Sequence, residues 1–279
     1  MTLELHGTTA LVTGASSGIG VEFARALAAR GSDLVLVARR EDRLEAVADE
    51  LSAAHGVSAT VIAADLGEPG AGARLVEELA TRGLRIHTLV NNAGFGTYGP
   101  FGTIPLARTA QEIQLNVGTL VELTSALMPQ LIEARGIVVN LGSTAAFQPT
   151  PGMAVYGATK AFVLSFTEAL WQEVEGTGMR VLAVCPGSTA SEFGAVSGTT
   201  ASSAEFGARQ TSAEMVAEAM RSLERTTAPS MVAGRRNRVL ARLVRLVPRR
   251  TAIAVSDRVM GRARVRAGQA ASHPAGSAA

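Results

Sequence analysis

The sequence predicts an α/β fold in which a parallel sheet is covered on both faces by helices. Three observations carry that prediction. Short apolar, β-branched runs alternate with stretches of helical periodicity along most of the chain. The runs are apolar on both faces, as strands buried from two sides must be. Residues with unusual chemistry cluster just after the runs, where the carboxyl ends of parallel strands form a crevice for ligands.

Taken in order, the pattern predicts strands near residues 8–12, 33–38, 58–63, 87–90, 137–141, 180–185 and 230–233. Helices are predicted over 18–30, after the second strand through about 54, and over 71–82, 105–114, 117–134, 155–175 and 212–225. Parallel strands joined by helical crossovers follow from this alternation.

With 279 residues, of which 47% are hydrophobic, the chain can bury a full single-domain core. Only 4% of residues are aromatic, so aliphatic side chains must build that core. One cysteine, Cys185, excludes an internal disulfide framework and sits in a strand pattern that suits plain packing. The four histidines are scattered without metal-ligand spacing, and no metal site is expected. Neither a secretory leader nor an apolar run of membrane-spanning length is read, which places the chain in the cytoplasm.

The formal net charge of +2 hides an asymmetry. Residues 1–234 carry a net −8, whereas residues 235–279 hold 11 arginines and one aspartate for a net +10. Of the 26 basic residues only one, Lys160, is a lysine. Arginine cannot replace a primary ammonium where chemistry needs one, so that position stands out.

The turn after the first strand reads Thr13-Gly14-Ala15-Ser16-Ser17-Gly18-Ile19-Gly20. Gly14 permits a sharp turn, Gly18 lets backbone approach a pyrophosphate, and Gly20 lets the helix pack on the strand. The helix N-terminus then offers N–H groups and a partial positive charge to phosphates. After the second strand stands Ala38-Arg39-Arg40 where an acidic residue would select NAD. Two guanidiniums suit a 2′-phosphate, so NADP is expected over NAD.

Tyr156 and Lys160 stand four apart on a predicted helix and share a face. A phenol is too weak an acid for proton transfer near neutrality. A nearby ammonium, and a positively charged nicotinamide, would each favour the phenolate. The sequence therefore predicts a lowered pKa for Tyr156. Ser143, at the end of the fifth strand, is placed to orient a carbonyl or alcohol, or to cap the strand end. Asn116 is read as the start of a helix, where it could cap the helix or hold a water near Lys160.

With Thr13–Gly20, Asn91-Asn92-Ala93-Gly94, Asn116, Ser143, Tyr156, Lys160 and Pro186-Gly187 in this order, the chain resembles the short-chain dehydrogenase/reductase family over residues 5–234. The resemblance implies a Rossmann-type, doubly wound, seven-stranded parallel sheet and an Asn116–Ser143–Tyr156–Lys160 tetrad. In that scheme Tyr156 passes the proton, Lys160 holds the ribose and lowers the tyrosine's pKa, Ser143 positions substrate, and Asn116 anchors a water. Cofactor contacts are implied for Gly14, Ser16, Ser17, Gly18, Ile19, Gly20, Arg39, Arg40, Asp65, Leu66, Asn92, Ala93, Gly94, Tyr156, Lys160, Pro186, Gly187 and Thr189. Thr189 and Ser191 compete for the nicotinamide carboxamide. A homodimer or homotetramer using the helices at 105–134 and 155–175 is implied as well.

Residues 188–210 are rich in Gly, Ser, Ala and Thr and read as a mobile lid. Phe147, Gln148, Met153, Phe193 and Phe206 are candidates for an apolar substrate wall. Beyond a catalytic and dinucleotide-binding region at 1–234, residues 235–266 predict a basic amphipathic helical extension broken at Pro248, and 267–279 a disordered tail. In the extension Arg238, Arg242, Arg245 and Arg249 face one way and Leu240, Leu243, Val244 and Val247 the other. Peripheral contact with an anionic membrane, at its inner face, is the expected use, with no nucleic-acid partner. The expected activity is NADP-dependent hydride transfer to or from a lipophilic ketone or its alcohol. A 3-oxoacyl reductase is the alternative, and a non-catalytic NADP-binding regulator the reading from another class.

Overall fold

The computed structural model describes residues 3, 5–188, 210–225 and 228–258. Seven strands form one sheet: β1 Thr9–Thr13, β2 Asp33–Ala38, β3 Ala59–Ala63, β4 Thr88–Asn91, β5 Ile137–Leu141, β6 Arg180–Cys185 and β7 Ser230–Val232. The helices are α1 Gly18–Ala28, α2 Glu41–His55, α3 Ala71–Thr81, α4 Leu106–Ile113, α5 Thr119–Glu133, α6 Ala154–Glu173, α7 Ser212–Arg225 and α8 Arg235–Val244. Residues 249–258 are also helical.

The strand order is β3-β2-β1-β4-β5-β6-β7, and every pairing is parallel. The order reverses between β1 and β4, so the crossovers after those strands leave in opposite directions and open a crevice between them. Two apolar layers bury the two faces. Phe23 and Leu27 of α1, Leu44 and Leu51 of α2, and Met215 to Leu223 of α7 lie on one side. Leu75 and Leu79 of α3, Leu123, Leu127 and Leu131 of α5, and Leu170 of α6 lie on the other. This is the doubly wound arrangement that alternating, two-sided apolar runs dictate.

One strand pair carries buried polar groups. Asn91 and Asn140 face each other in register across β4 and β5. Asn91 Nδ2 donates to Asn140 Oδ1 at 2.8 Å and to Thr124 Oγ1 at 3.0 Å, and Asn140 Nδ2 donates to Thr167 Oγ1 at 3.0 Å. Each donor thus finds an acceptor, which is what makes two amides tolerable there.

Two expectations need correction. Residues 106–133 form one helical run, with a π-helical turn at Gln114–Gly118 joining α4 to α5. Asn116 lies inside that turn and is not a helix cap. π-Turns push one residue out of the regular ladder, and they recur at functional sites. Pro248 does not break the first tail helix, which already ends at Val244. Its carbonyl instead accepts from the backbone N–H groups of Thr251 and Ala252, so it opens the second helix. Predicted features at 259–266 and 267–279 lie outside the described residues.

Candidate active site

The turn between β1 and α1 is built on glycine for steric reasons. Gly14 has φ +68° and Gly18 φ +57°, both left-handed values that strain other residues. A Cβ on Gly14 would lie 2.7 Å from Asn92 Nδ2, and one on Gly20 would collide with the Gly14 carbonyl. Asn92 and Ala93 staple this turn to the end of β4. Asn92 Nδ2 donates to the carbonyls of Thr13 (2.8 Å) and Gly14 (3.2 Å), and both backbone N–H groups donate to Thr13 Oγ1 at 3.0 Å. Ser17 occupies the N-cap of α1 without a side-chain cap hydrogen bond. The first-turn N–H groups therefore face the crevice.

A cleft of about 290 Å³ runs over the carboxyl ends of the strands. Gly14, Ser16, Ser17, Gly18 and Ile19 form one wall. Arg39 and Arg40 stand at one end, with Asp65 and Leu66 beside them. Arg40 donates to Ser16 Oγ through Nε (3.3 Å) and Nη2 (3.1 Å), which aims it along the phosphate-type loop. Arg39 is largely exposed and lies 3.9 Å from Asp65. Asn92, Ala93 and Gly94 line the middle, and Tyr156, Lys160 and Pro186 the other end.

Some expected residues stand elsewhere. Gly20 lies behind the loop as a packing glycine. Gly187 does not line the cleft: a Cβ there would collide with Asn237 of α8, whose Nδ2 donates to the Ala233 carbonyl at 2.9 Å. The side of Gly187 that a Cβ would occupy is therefore taken by the tail helix. Thr189, Ser191, Phe193 and Phe206, and almost all of the lid at 188–210, lie outside the described residues. Phe147, Gln148 and Met153 follow Ser143 and precede Tyr156 along one connection. Phe147 packs beneath Arg245, 5.5 Å from its ring centre.

Tyr156 and Lys160 sit one turn apart on α6, with Lys160 Nζ 5.8 Å from the tyrosine ring centre. The ammonium donates to the Leu141 carbonyl at 2.7 Å. Ser143 caps the turn at Thr144–Phe147, its Oγ accepting from Ala145 N at 3.1 Å, and also hydrogen-bonds the Tyr156 phenol. The capping role read for Ser143 is thus present, and its hydroxyl also meets the phenol. Burial pushes Tyr156 up to about 12, against the lowering effect of Ser143. Burial likewise pushes Lys160 down to about 8. In the free chain desolvation outweighs the lowering by Ser143, and the phenol holds its proton.

Asn116 grips the loop after β4. Its Oδ1 accepts from Phe95 N (3.1 Å), and its Nδ2 donates to Phe95 O (2.8 Å) and Thr159 Oγ1 (3.1 Å). It is buried and tied to α6 through Thr159. Sequence reasoning gave no role to Thr13, which locks the loop, and missed Phe95, Arg108, Gln111 and Leu115, which also line the cleft. The helical spacing of Arg108, Glu112 and Asn116 was the available signal for that face. Among the described residues no cluster of three His, Cys, Asp or Glu side chains is placed to hold a metal.

A family model of the short chain dehydrogenases matches residues 8–201. The chain belongs to the short-chain dehydrogenase/reductase family. It is an oxidoreductase of the CH–OH/C=O type that this family comprises. This family member is 43% identical over 186 residues to sulfoacetaldehyde reductase 2 of Chromohalobacter salexigens, covering 66% of this chain and 73% of that one. It is 35% identical over 202 residues to the very-long-chain 3-oxoacyl-CoA reductase of Anas platyrhynchos, covering 68% of this chain and 62% of the relative. Among solved structures, the short-chain dehydrogenase from Sphingobium yanoikuyae in complex with NADPH is similar at TM-score 0.76 and 33% identity, over 98% of both chains.

Proposed function

We propose that this short-chain dehydrogenase/reductase uses NADPH to reduce a lipophilic ketone, with Tyr156 as the acid. The observation that carries the reading is a single cleft with two arginines at one end and Tyr156 and Lys160 at the other, with Ser143 hydrogen-bonded to the Tyr156 phenol. The residues fit a dinucleotide. Side chains on Gly14 or Gly20 would collide with Asn92 and the Gly14 carbonyl and so distort the loop that forms the cradle, and α1 presents its free N–H groups to it. Gly14, Ser16, Ser17, Gly18 and Ile19 would hold the pyrophosphate, and Arg39 and Arg40 the 2′-phosphate. Asn92 to Gly94 would line the middle, and Lys160 would meet the ribose.

When bound, the reduced dinucleotide supplies a hydride. The chain supplies the proton and the geometry. A carbonyl oxygen seated at the Ser143–Tyr156 hydrogen bond meets two hydroxyl donors. Tyr156 gives its Oη proton to that oxygen, leaving an alcohol. The free chain keeps this proton on the phenol, and the Lys160 ammonium beside it would bring the phenol back toward useful acid strength once substrate and cofactor are seated.

The tail supports a lipophilic substrate. In α8 only Ala241 is buried, while Val239, Leu240 and Leu243 are exposed, as are Leu246 and Val247 beyond it. Arg238 turns to the body and pairs with Glu218, and Arg245 covers Phe147. The apolar row thus faces outward among a surplus of arginines, which fits peripheral contact with an anionic membrane. Vesicles rich in phosphatidylglycerol should sediment the protein at low salt and phosphatidylcholine vesicles should not; absence of binding to both removes this contact. Exposed Leu106, Ile113, Ile132 and Phe162 on α4, α5 and α6 support self-association through those helices.

NADPH oxidation with a panel of hydrophobic ketones, 3-oxoacyl thioesters and small polar aldehydes tests the function. The reading expects hydrophobic ketones to give the highest kcat/KM, and NADPH to outpace NADH. Preference for a small polar aldehyde, or for NADH, overturns it. Preference for the thioesters favours the 3-oxoacyl alternative, which the resemblance to the Anas platyrhynchos reductase keeps in view.

A further inference from the structure

Glu112 lies on α4, four residues before Asn116, and is fully buried. Its Oε2 accepts a 2.6 Å hydrogen bond from Thr97 Oγ1, and the Thr97 backbone N–H donates to the same carboxyl. Its Oε1 has no hydrogen-bond partner among the described residues. A carboxyl left half-satisfied in the interior is costly, so its presence asks for a physical reason.

The charged and titratable groups that act on it are three. Arg108 stands one turn earlier on its own helix, and Lys160 and Tyr156 lie on α6, which packs against α4. The loop after β4 contributes the neutral donors of Thr97. Glu112 and Asn116 thus hold Thr97 and Phe95, alternate residues of one loop, and both look toward the helix that carries the tyrosine and lysine.

We propose that Glu112 is a positioning residue for the reaction, whose buried carboxylate keeps the proton on Tyr156 and Lys160 and so biases the site toward carbonyl reduction. This rests on the reading of Tyr156 as the acid. A fixed negative charge opposes formation of a phenolate and favours an ammonium. Inside the protein that effect is weakly screened. Burial is the largest influence and leaves the carboxyl's own pKa raised, offset only in part by the Thr97 donors, Arg108 and Lys160.

The test is the pH profile of kcat/KM for NADPH-dependent reduction of the best ketone, for wild type and Glu112→Gln, each normalised to its own plateau. Glutamine keeps an oxygen for Thr97 and removes the charge. The alkaline limb, which begins with loss of the Lys160 proton near pH 8, should move down by about 0.5–1 pH unit. A limb that stays at its wild-type position overturns the proposal and leaves Glu112 as a seat for Thr97. Glu112→Met removes the charge without burying an amide, and must move the limb the same way if the glutamine variant does not fold. Tyr156→Phe in the same assay separates the two readings. Retained turnover there defeats the acid role, whereas lost turnover with an unmoved Glu112→Gln limb defeats only the role of Glu112.

Discussion

Lys160 donates from Nζ to the carbonyl of Leu141, 2.7 Å away, and so ties α6 to the last residue of β5. The bond is made by an ammonium that is itself 5% exposed, and burial holds its pKa down at about 8 against an ordinary 10.5. Between those values the unfolded chain binds the proton and the native chain does not. Native stability from this group therefore rises with pH across that window. Lys160→Met should abolish the rise. Denaturant midpoints at pH 8 and pH 10 check it: wild type gains on the variant, and a constant difference contradicts the assignment. Tyr156, pushed up to about 12, acts in the opposite sense only above pH 10, and in both chains alike.

The arginines after β2 predict cofactor choice. A hydrogen bond to a charged group contributes about 1.5–3 kcal/mol, and with Arg39 largely exposed the pair is worth about one such bond. Replacing Arg39 and Arg40 together by alanine should weaken NADPH binding roughly ten- to hundredfold while NADH binding changes little. Fluorescence titration with both dinucleotides reads this directly. Equal losses for both would place the arginines away from the 2′-phosphate.

The Asn91–Asn140 pair predicts a stability effect remote from the cleft. Asn140→Leu removes an acceptor from Asn91 and a donor from Thr167 inside a closed network. The expected cost is about 2–4 kcal/mol, which lowers Tm by roughly 4–12 °C for a domain of this size. A melting point within about 2 °C of wild type would show that the amides contribute little beyond filling space.

Much of this fold was legible because its signals are local. Residues 33–38 and 180–185 match β2 and β6, since unbroken apolar runs between helical stretches have few other readings. The loop Gly14–Gly20 was legible because positive φ and close packing each demand glycine. Asn116 was misplaced because a π-turn depends on what its side chain grips, here Phe95 and Thr159, and neither lies near it in sequence. Glu112 was passed over because a glutamate in an amphipathic stretch reads as solvated; only tertiary packing of α4 on α6 buries it. The upward push of burial on the free Tyr156 phenol was not legible for a related reason. Spacing shows that a lysine shares its face, but desolvation is set by the surrounding walls.

The most direct measurement is a paired assay of Tyr156→Phe for NADPH affinity and single-turnover ketone reduction. Phenylalanine keeps the ring that lines the cleft and removes only the proton donor. The account predicts a Kd for NADPH within about threefold of wild type and a reduction rate at least ~100-fold lower, the scale of a missing general acid. A variant that reduces the ketone at a near-normal rate would contradict it.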